Sequence, residues 1–469
     1  HRDLHYPLRR QRQMCIRDSA NGNATRRGYD KNNRLVVATD ALSGAVRYGY
    51  DAEGHRTVMT DTLGRITRYG YDQLGRTVVI TDPLGYVTRY GYDANSNQIS
   101  VTNALTGTTL HGYDALNRLV WERDPLGHIT AYGYDLVGQR TAITDAEGHV
   151  TRYGYDGVGN LISVTDALSG TTLYGYDAVG NRTVITYANG TTSHFTFNML
   201  NQLVLEVDEM EQSWRYSYND AGMLTRKVDA EWQATYYRYD GTGRLVETVY
   251  GVNGGEPGVA FTYDPAGNQI AMRDGNGTLT TAYDALNRPV TVTDYLSRTL
   301  VYGWNPDGTR ASLTYPNGQV VTYTYTAKRQ LAQVKLPGEE TATYTYNPLG
   351  YQTQVLYSNG TWANYAYNAA NRLTTLRNTA ADGTPIAWYA YDMDKLGNRT
   401  VITEECPLAL DAPVATIVRR YTYDELYRLT RSTSSVSRTH EMNWELDSVG
   451  NCCLLYTSDA ADEEDSVDL

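Results

Sequence analysis

Short runs of β-branched and aromatic residues alternate along this chain with polar turn sequences built on Asp, Gly and Asn. Residues 69–93 read YGYDQLGRTVVITDPLGYVTRYGYD, and the same order recurs along most of the sequence. In Y-x-Y-D the two tyrosines stand two apart, so in an extended strand they project from one sheet face. The Asp that follows can close a turn by accepting a backbone N–H two residues on. Four positions after the second Tyr comes Gly or Asn, which take positive φ at little cost. A β-branched run such as TVVITD (77–82) then pairs back as a second strand. A second turn, DPLG at 82–85 or DALSG at 166–170, returns the chain to the next Y-x-Y-D. The pattern predicts about forty short antiparallel strands and almost no helix, in one winding sheet.

The period is regular. Anchors at Tyr29, Tyr50, Tyr71, Tyr92, Tyr113, Tyr134, Tyr155, Tyr176, Phe197, Tyr218 and Tyr239 give ten successive intervals of 21. The array continues at Tyr263, Tyr283, Trp304, Tyr325, Tyr346, Tyr367, Met393, Tyr423 and Leu446, where the spacing widens around stretches read as grown loops at 249–259, 378–387 and 402–417. Units of this size cannot bury a face alone and must stack. The residues expected to set each unit are Tyr50, Asp51 and Gly54; Tyr71, Asp72 and Gly75; Tyr113, Asp114 and Asn117; Tyr134, Asp135 and Gly138; Tyr155, Asp156 and Gly159; and Tyr176, Asp177 and Gly180. Gly or Asn fills the turn position in 17 of 20 units, and Ser96, Arg329 and Tyr427 are the exceptions.

Composition sharpens this picture. Tyr and Gly number 42 each against 3 Phe, so the aromatic is Tyr and the turn former is Gly. The net charge of −12 includes +3 from residues 1–19 and −6 from 452–469, which leaves −9 for 20–451. An acidic body without a basic cluster argues against nucleic acid or an anionic membrane as main partner. No apolar run is long enough for a membrane-spanning helix. Of four cysteines only Cys406 lies in the array, so no disulfide framework or Cys-based zinc site is readable. The repeat breaks mid-unit at both ends. Residues 1–19 and 452–469 resemble translated adapter sequence, and both are read as non-native flanks of an array spanning 20–451.

Candidate chemistry reduces to turns. DAEGH occurs at 51–55 and 145–149, bringing Asp51, Glu53 and His55, or Asp145, Glu147 and His149, into apparent ligand sets. The two copies fall in different halves of the unit, and no ligand spacing is fixed across repeats, so turn formation is the preferred reading over metal binding. Most other carboxylates sit where Asp caps a turn. Nucleophile-elbow, P-loop and dinucleotide motifs are missing. Catalytic residues, metal ligands and cofactors are therefore assigned to no position, and the chain is read as a non-enzyme. The N-x-T triplets at Asn23, Asn181, Asn189, Asn276, Asn359 and Asn398 follow from Asn and Gly turns. Ladders of Y-x-Y read as cross-strand packing in preference to a carbohydrate-binding surface, because they recur in every unit.

The cycle YDxxGR, β-branched run, TDPxG resembles the YD repeat of RHS proteins, a group that includes bacterial polymorphic toxins, shell subunits of insecticidal toxin complexes and the animal teneurins. The resemblance implies an all-β fold in which a spiralling sheet strip builds a hollow shell, often around a cytotoxic C-terminal domain. It implies a secreted or cell-surface bacterial protein that encloses an effector until delivery, with that effector as partner. The second reading is a cell-surface or wall-associated adhesion protein that presents the array to glycans. The self-cleaving core that ends such shells has no counterpart in this sequence, so no catalytic residue is carried over.

Overall fold

The computed structural model describes residues 14–251, 256–407, 414–435, 440–447 and 452–459. These form 41 β-strands, and no helix occurs among the described residues. The strands belong to one sheet, with antiparallel pairing between strands consecutive in sequence. Most alternate between five residues (Arg56–Thr60) and six (Ala45–Tyr50), as the two halves of the repeat require.

The register explains the repeat length. Ala45–Tyr50 pairs with Arg56–Thr60 through Tyr48↔Met59 and Gly49↔Val58, then slips to Tyr50↔Arg56. That skipped residue is a bulge, and it recurs between Gly70 and Tyr71, Gly112 and Tyr113, Gly133 and Tyr134, and onwards. Arg56–Thr60 pairs with the next strand, Ile66–Tyr71, without a bulge. In the regular 21-residue units one side of each hairpin is thus bent and twisted more than the other, which gives the strip a regular local bend.

The grown loops at 378–387 and 402–417 are corrected by the structure. Strand takes in 378–379 and 385–387 of the first and the described residues 402–407 and 414–417 of the second: Pro385–Met393, Arg399–Pro407 and Val414–Tyr423 run nine or ten residues, and Pro407 pairs with Val414. Insertions lengthened the strands, because an extra ladder rung satisfies backbone groups that a loop of the same length would leave to water. At 249–259 the strands Leu245–Tyr250 and Glu256–Tyr263 flank four residues outside the described set. Of the two flanks, Met14–Asp18 pairs with Ala24–Tyr29 and Cys452–Asp459 with His440–Leu446. Residues 1–13 and 460–469 lie outside the described residues.

Few side chains are fully covered. Val228, Leu313, Val321, Val355 and Ile417 are among the buried apolar residues, and most of the rest are half-buried. Cohesion therefore resides in the ladder and in side chains lying across neighbouring strands. The chain divides into two compact units, one holding described residues of 1–91, 237–250 and 255–344, the other those of 92–236, 251 and 345–469. Each brings together two stretches of the strip that are far apart in sequence.

Candidate functional site

Most turns are built by one carboxylate, and Asn198, Asn219, Asn347 and Asn368 do the same with an amide oxygen. The Asp51 N–H donates to the His55 carbonyl at 3.0 Å, and its Oδ1 accepts from Gly54 N at 2.8 Å and His55 N at 2.7 Å. Asp72 accepts from Leu74 N and Arg76 N, Asp114 from Leu116 N and Arg118 N, and Asp135 from Val137 N and Gln139 N. Asp156 and Asp177 do the same for Val158 and Asn160, and for Val179 and Asn181. The backbone N–H of Arg76 holds the Asp72 carboxyl below the usual carboxylate range, and that of Arg118 does so for Asp114. For Asp156 and Asp177 the leading cause is the side-chain amide of Asn160 and Asn181.

The residue that closes the turn has positive φ: 100° at Gly54, 76° at Gly75, 61° at Asn117, 93° at Gly138, 99° at Gly159 and 93° at Gly180. Ser96, Arg329 and Tyr427 adopt the same left-handed conformation at 70°, 63° and 63°. For Tyr427 the structure shows a compensating contact, since its hydroxyl donates to the Asp145 carboxylate and lies 2.8 Å from His149 Nδ1. Burial, then that carboxylate, push the Tyr427 phenol well above the ordinary tyrosine range.

The excess of Tyr over Phe has a local cause. The anchor hydroxyl donates to the carbonyl of the residue 15 positions earlier, on the bulged strand. Tyr50 reaches Leu35, Tyr71 reaches Arg56, Tyr134 reaches Leu119 and Tyr176 reaches Leu161, all at 2.8 Å. Tyr155 reaches Arg140 at 3.0 Å and Tyr113 reaches Gln98 at 3.1 Å. Where the anchor is Trp304, its Nε1 serves the Pro289 carbonyl at 2.8 Å. Arginines complete the stitching. Arg34 pairs with Asp30 at 2.8 Å, donates to the Asp51 carbonyl of the next unit at 2.9 Å and lies over the Tyr50 ring. Arg118 repeats this with Asp114, Asp135 and Tyr134.

Sequence reasoning treated the second turn only as a return. Its geometry equals that of the first: Asp82 N donates to the Tyr86 carbonyl, Gly85 N to the Asp82 carbonyl, and positive φ recurs every 21 residues from Gly22 through Ser43 and Gly64 to Trp232. First turns and second turns therefore form opposite edges of the strip, and within each unit the second-turn edge of the earlier stretch docks on the first-turn edge of the later one. In the first unit Arg65 bridges Asp61 and Asp307, each at 2.6 Å, with the Asp307 side chain 0 % exposed. Lys328 reaches Asp82 at 2.9 Å, and Asn21 pairs with Asp264 and Ala266. In the second, Glu147 accepts from Lys395 N at 2.7 Å beside the Tyr427 contact. Sequence offsets of 242, 243 and 248 residues recur at these contacts. The signal for this edge was the repeated D-x-L-G/S, but its partner could not be read from a local pattern.

The two DAEGH sets resolve differently. Asp51, Glu53 and His55 bring ligand atoms within 4.8 Å of one another. Yet Asp51 is engaged by the turn and by His55 Nδ1, and the His55 ring stacks on Tyr71 at 4.9 Å, which accounts for the cluster without an ion. Asp145, Glu147 and His149 face Tyr427 and Lys395.

Comparison with known proteins agrees with this architecture. The RHS Repeat family matches residues 29–66, 50–83, 71–108, 113–150, 134–168 and 155–192, and the Teneurin YD-shell family matches 252–395. No curated protein sequence matches the chain. The crystal structure of TcdB2-TccC3 aligns over 95% of this chain at 14% identity with a TM-score of 0.63, and that of TcdB2-TccC3-TEV over 92% at 16% identity with a TM-score of 0.55. This chain spans 29% and 27% of those chains, and at such identities the likeness is one of fold. The turn chemistry, the all-β strip and the family matches together make this chain an RHS/YD-repeat protein with a shell-like structural role.

Proposed function

We propose that this array is a wall segment of an RHS-type toxin, which encloses a C-terminal effector and shields it until delivery from a secreted or surface-displayed particle. The reading rests on one observation: in each unit, turn edges some 245 residues apart are joined by buried or half-buried ion pairs, such as Arg65 with Asp307. Hairpins joined both laterally and edge to edge make a wall, where a row of independent binding modules would leave its turn edges free. The mechanism is steric, and within it residues 20–451 are the functional array. An adhesive role through the tyrosine face is less well supported, because the anchor hydroxyl donors already serve backbone carbonyls.

The test is to express the array in one reading frame with the coding sequence that follows it and to digest the product with a nonspecific protease. A C-terminal segment resistant while the array is folded, and cut once the array is unfolded, supports enclosure. Cleavage of that segment at the same rate with and without the array removes it.

A further inference from the structure

Exposed arginines of the first unit fall in one row across the sheet. Arg26, Arg47, Arg68 and Arg89 each stand three positions before an anchor and recur every 21 residues. The register keeps them on one face: Arg47 lies opposite Val37 on one neighbouring strand and Thr60 on the other, and Arg68 opposite Val58 and Thr81. The Y-x-Y tyrosines are an odd number of positions away, so their rings occupy the opposite face. At two strand spacings per unit, successive arginines rise about 10 Å apart in a row about 29 Å long. None of the four makes an ion pair, a side-chain hydrogen bond or a ring contact among the described residues, whereas Arg34, Arg65 and Arg76 pair with turn carboxylates. The carboxylates that follow the intervening strands, Asp40, Asp61 and Asp82, are taken up by their own turns. The floor between the arginines is low. Val37, Val58 and Val79 lie so close across Gly28, Gly49 and Gly70 that a Cβ on those glycines would meet them at 2.8, 3.4 and 2.5 Å. The 21-residue period hides this basic row in the sequence, where no short window contains it.

A guanidinium row without counter-charge calls for an anionic partner, and the guanidinium fork matches a carboxylate in bidentate geometry. Pitch and surroundings select among anions. A single-stranded nucleic acid needs aromatic rings to stack on, and here the rings face away. A duplex carries a charge about every 1.7 Å, far denser than this row, and is a straight rod that a twisting sheet follows poorly. An extended polypeptide advances about 10 Å in three residues and is flexible enough to follow the twist. We propose that the row from Arg26 to Arg89 binds an extended acidic segment of a partner protein, with carboxylates recurring about every third residue. The inference goes beyond enclosure of an effector and does not rest on it.

Fluorescence anisotropy of the full chain with a labelled peptide, Glu-Ser-Gly repeated to about 15 residues, tests it. The expected result is saturable binding at about 20 mM salt that weakens at about 150 mM, with no binding of the Gln-Ser-Gly counterpart. The double variant Arg47→Gln, Arg68→Gln changes only exposed side chains and should weaken binding about tenfold with an unchanged far-ultraviolet spectrum. Arg152→Gln is the control. That arginine is exposed at the same repeat position, but Ala131 and Leu173 flank it in its own row, so the affinity should not change. The proposal is overturned by a peptide that fails to bind at low salt, by a double variant that binds like the wild type, or by an equal loss in Arg152→Gln. It is also overturned if heparin or an oligothymidylate binds more tightly than the peptide and is lost with the double variant, which would give the row to another class of polyanion.

Discussion

A single hydroxyl decides why this chain uses tyrosine at its anchors. The strand that follows each bulge opens with a carbonyl to which the anchor phenol of the next unit donates. Tyr134→Phe should therefore cost about 1 kcal/mol, the net worth of one such bond plus an unmet acceptor. Phe197→Tyr should gain a similar amount, since the Arg182 carbonyl lies at the equivalent offset of 15 residues. Paired denaturant titrations check both, and equal stability of all three proteins would contradict the assignment. Titration gives a second residue-scale prediction. Asp72, Asp114, Asp156 and Asp177 have folded pKa values below their ordinary one, so the stability they add is present above pH about 4 and is lost as the pH falls further. Tyr113, Tyr218 and Tyr423 are raised, first by burial, so their contribution is complete below pH about 10 and is lost as the pH rises through the folded values. Circular dichroism across pH should show a plateau bounded by both losses. A fold retained in strong acid would contradict the carboxylate account.

At the scale of the hairpin, the turn is held by a conformation more than by a packing fit. Nothing lies within 4 Å of the space a Cβ on Gly138 would fill, while φ there is 93°. Gly138→Val should thus cost roughly 1–2 kcal/mol through backbone conformation alone. Gly138→Asn should cost less, as Asn117 and Asn201 occupy the same site. Hydrogen exchange should rise in turn 135–139 and its two strands for the valine variant, with distant hairpins unaffected; exchange rising across the whole array would contradict a modular repeat. This element was the most legible part of the sequence, because Asp, Gly and Asn carry their conformational reasons with them. Ser96, Arg329 and Tyr427 could not be explained from composition. Tyr427 is held left-handed in a structure where its hydroxyl meets Asp145, 282 residues away, and no local pattern encodes that contact. The widened spacings misled for a related reason: extra residues between anchors announce an insertion without saying whether it pairs.

At the scale of the molecule, the question is what holds one stretch of strip to another, and Asp307 is the most sensitive place to ask it. Its carboxylate is covered, accepts from Thr309 at 2.6 Å and meets the Arg65 guanidinium at 2.6 Å, while Arg65 keeps Asp61 on its other side. Asp307→Ala removes one of two anions from a guanidinium that is only 13% exposed, and should cost about 3 kcal/mol at that join. Asp307→Asn should fall between, because an amide can still accept from Thr309 but leaves Arg65 with Asp61 as its one anion. The double variant Arg65→Leu, Asp307→Leu separates attraction from burial: with neither charge to desolvate, much of the lost stability should return. Hydrogen exchange at turns 61–65 and 305–309 reads the join directly. If Asp307→Ala speeds exchange at 305–309 alone, the carboxylate serves only its own turn and the edges are held by their other contacts. If both turns open together, the ion pair itself fastens residues 242 positions apart. Edge-to-edge fastening of the strip would then depend on charge, where the hairpins depend on backbone conformation.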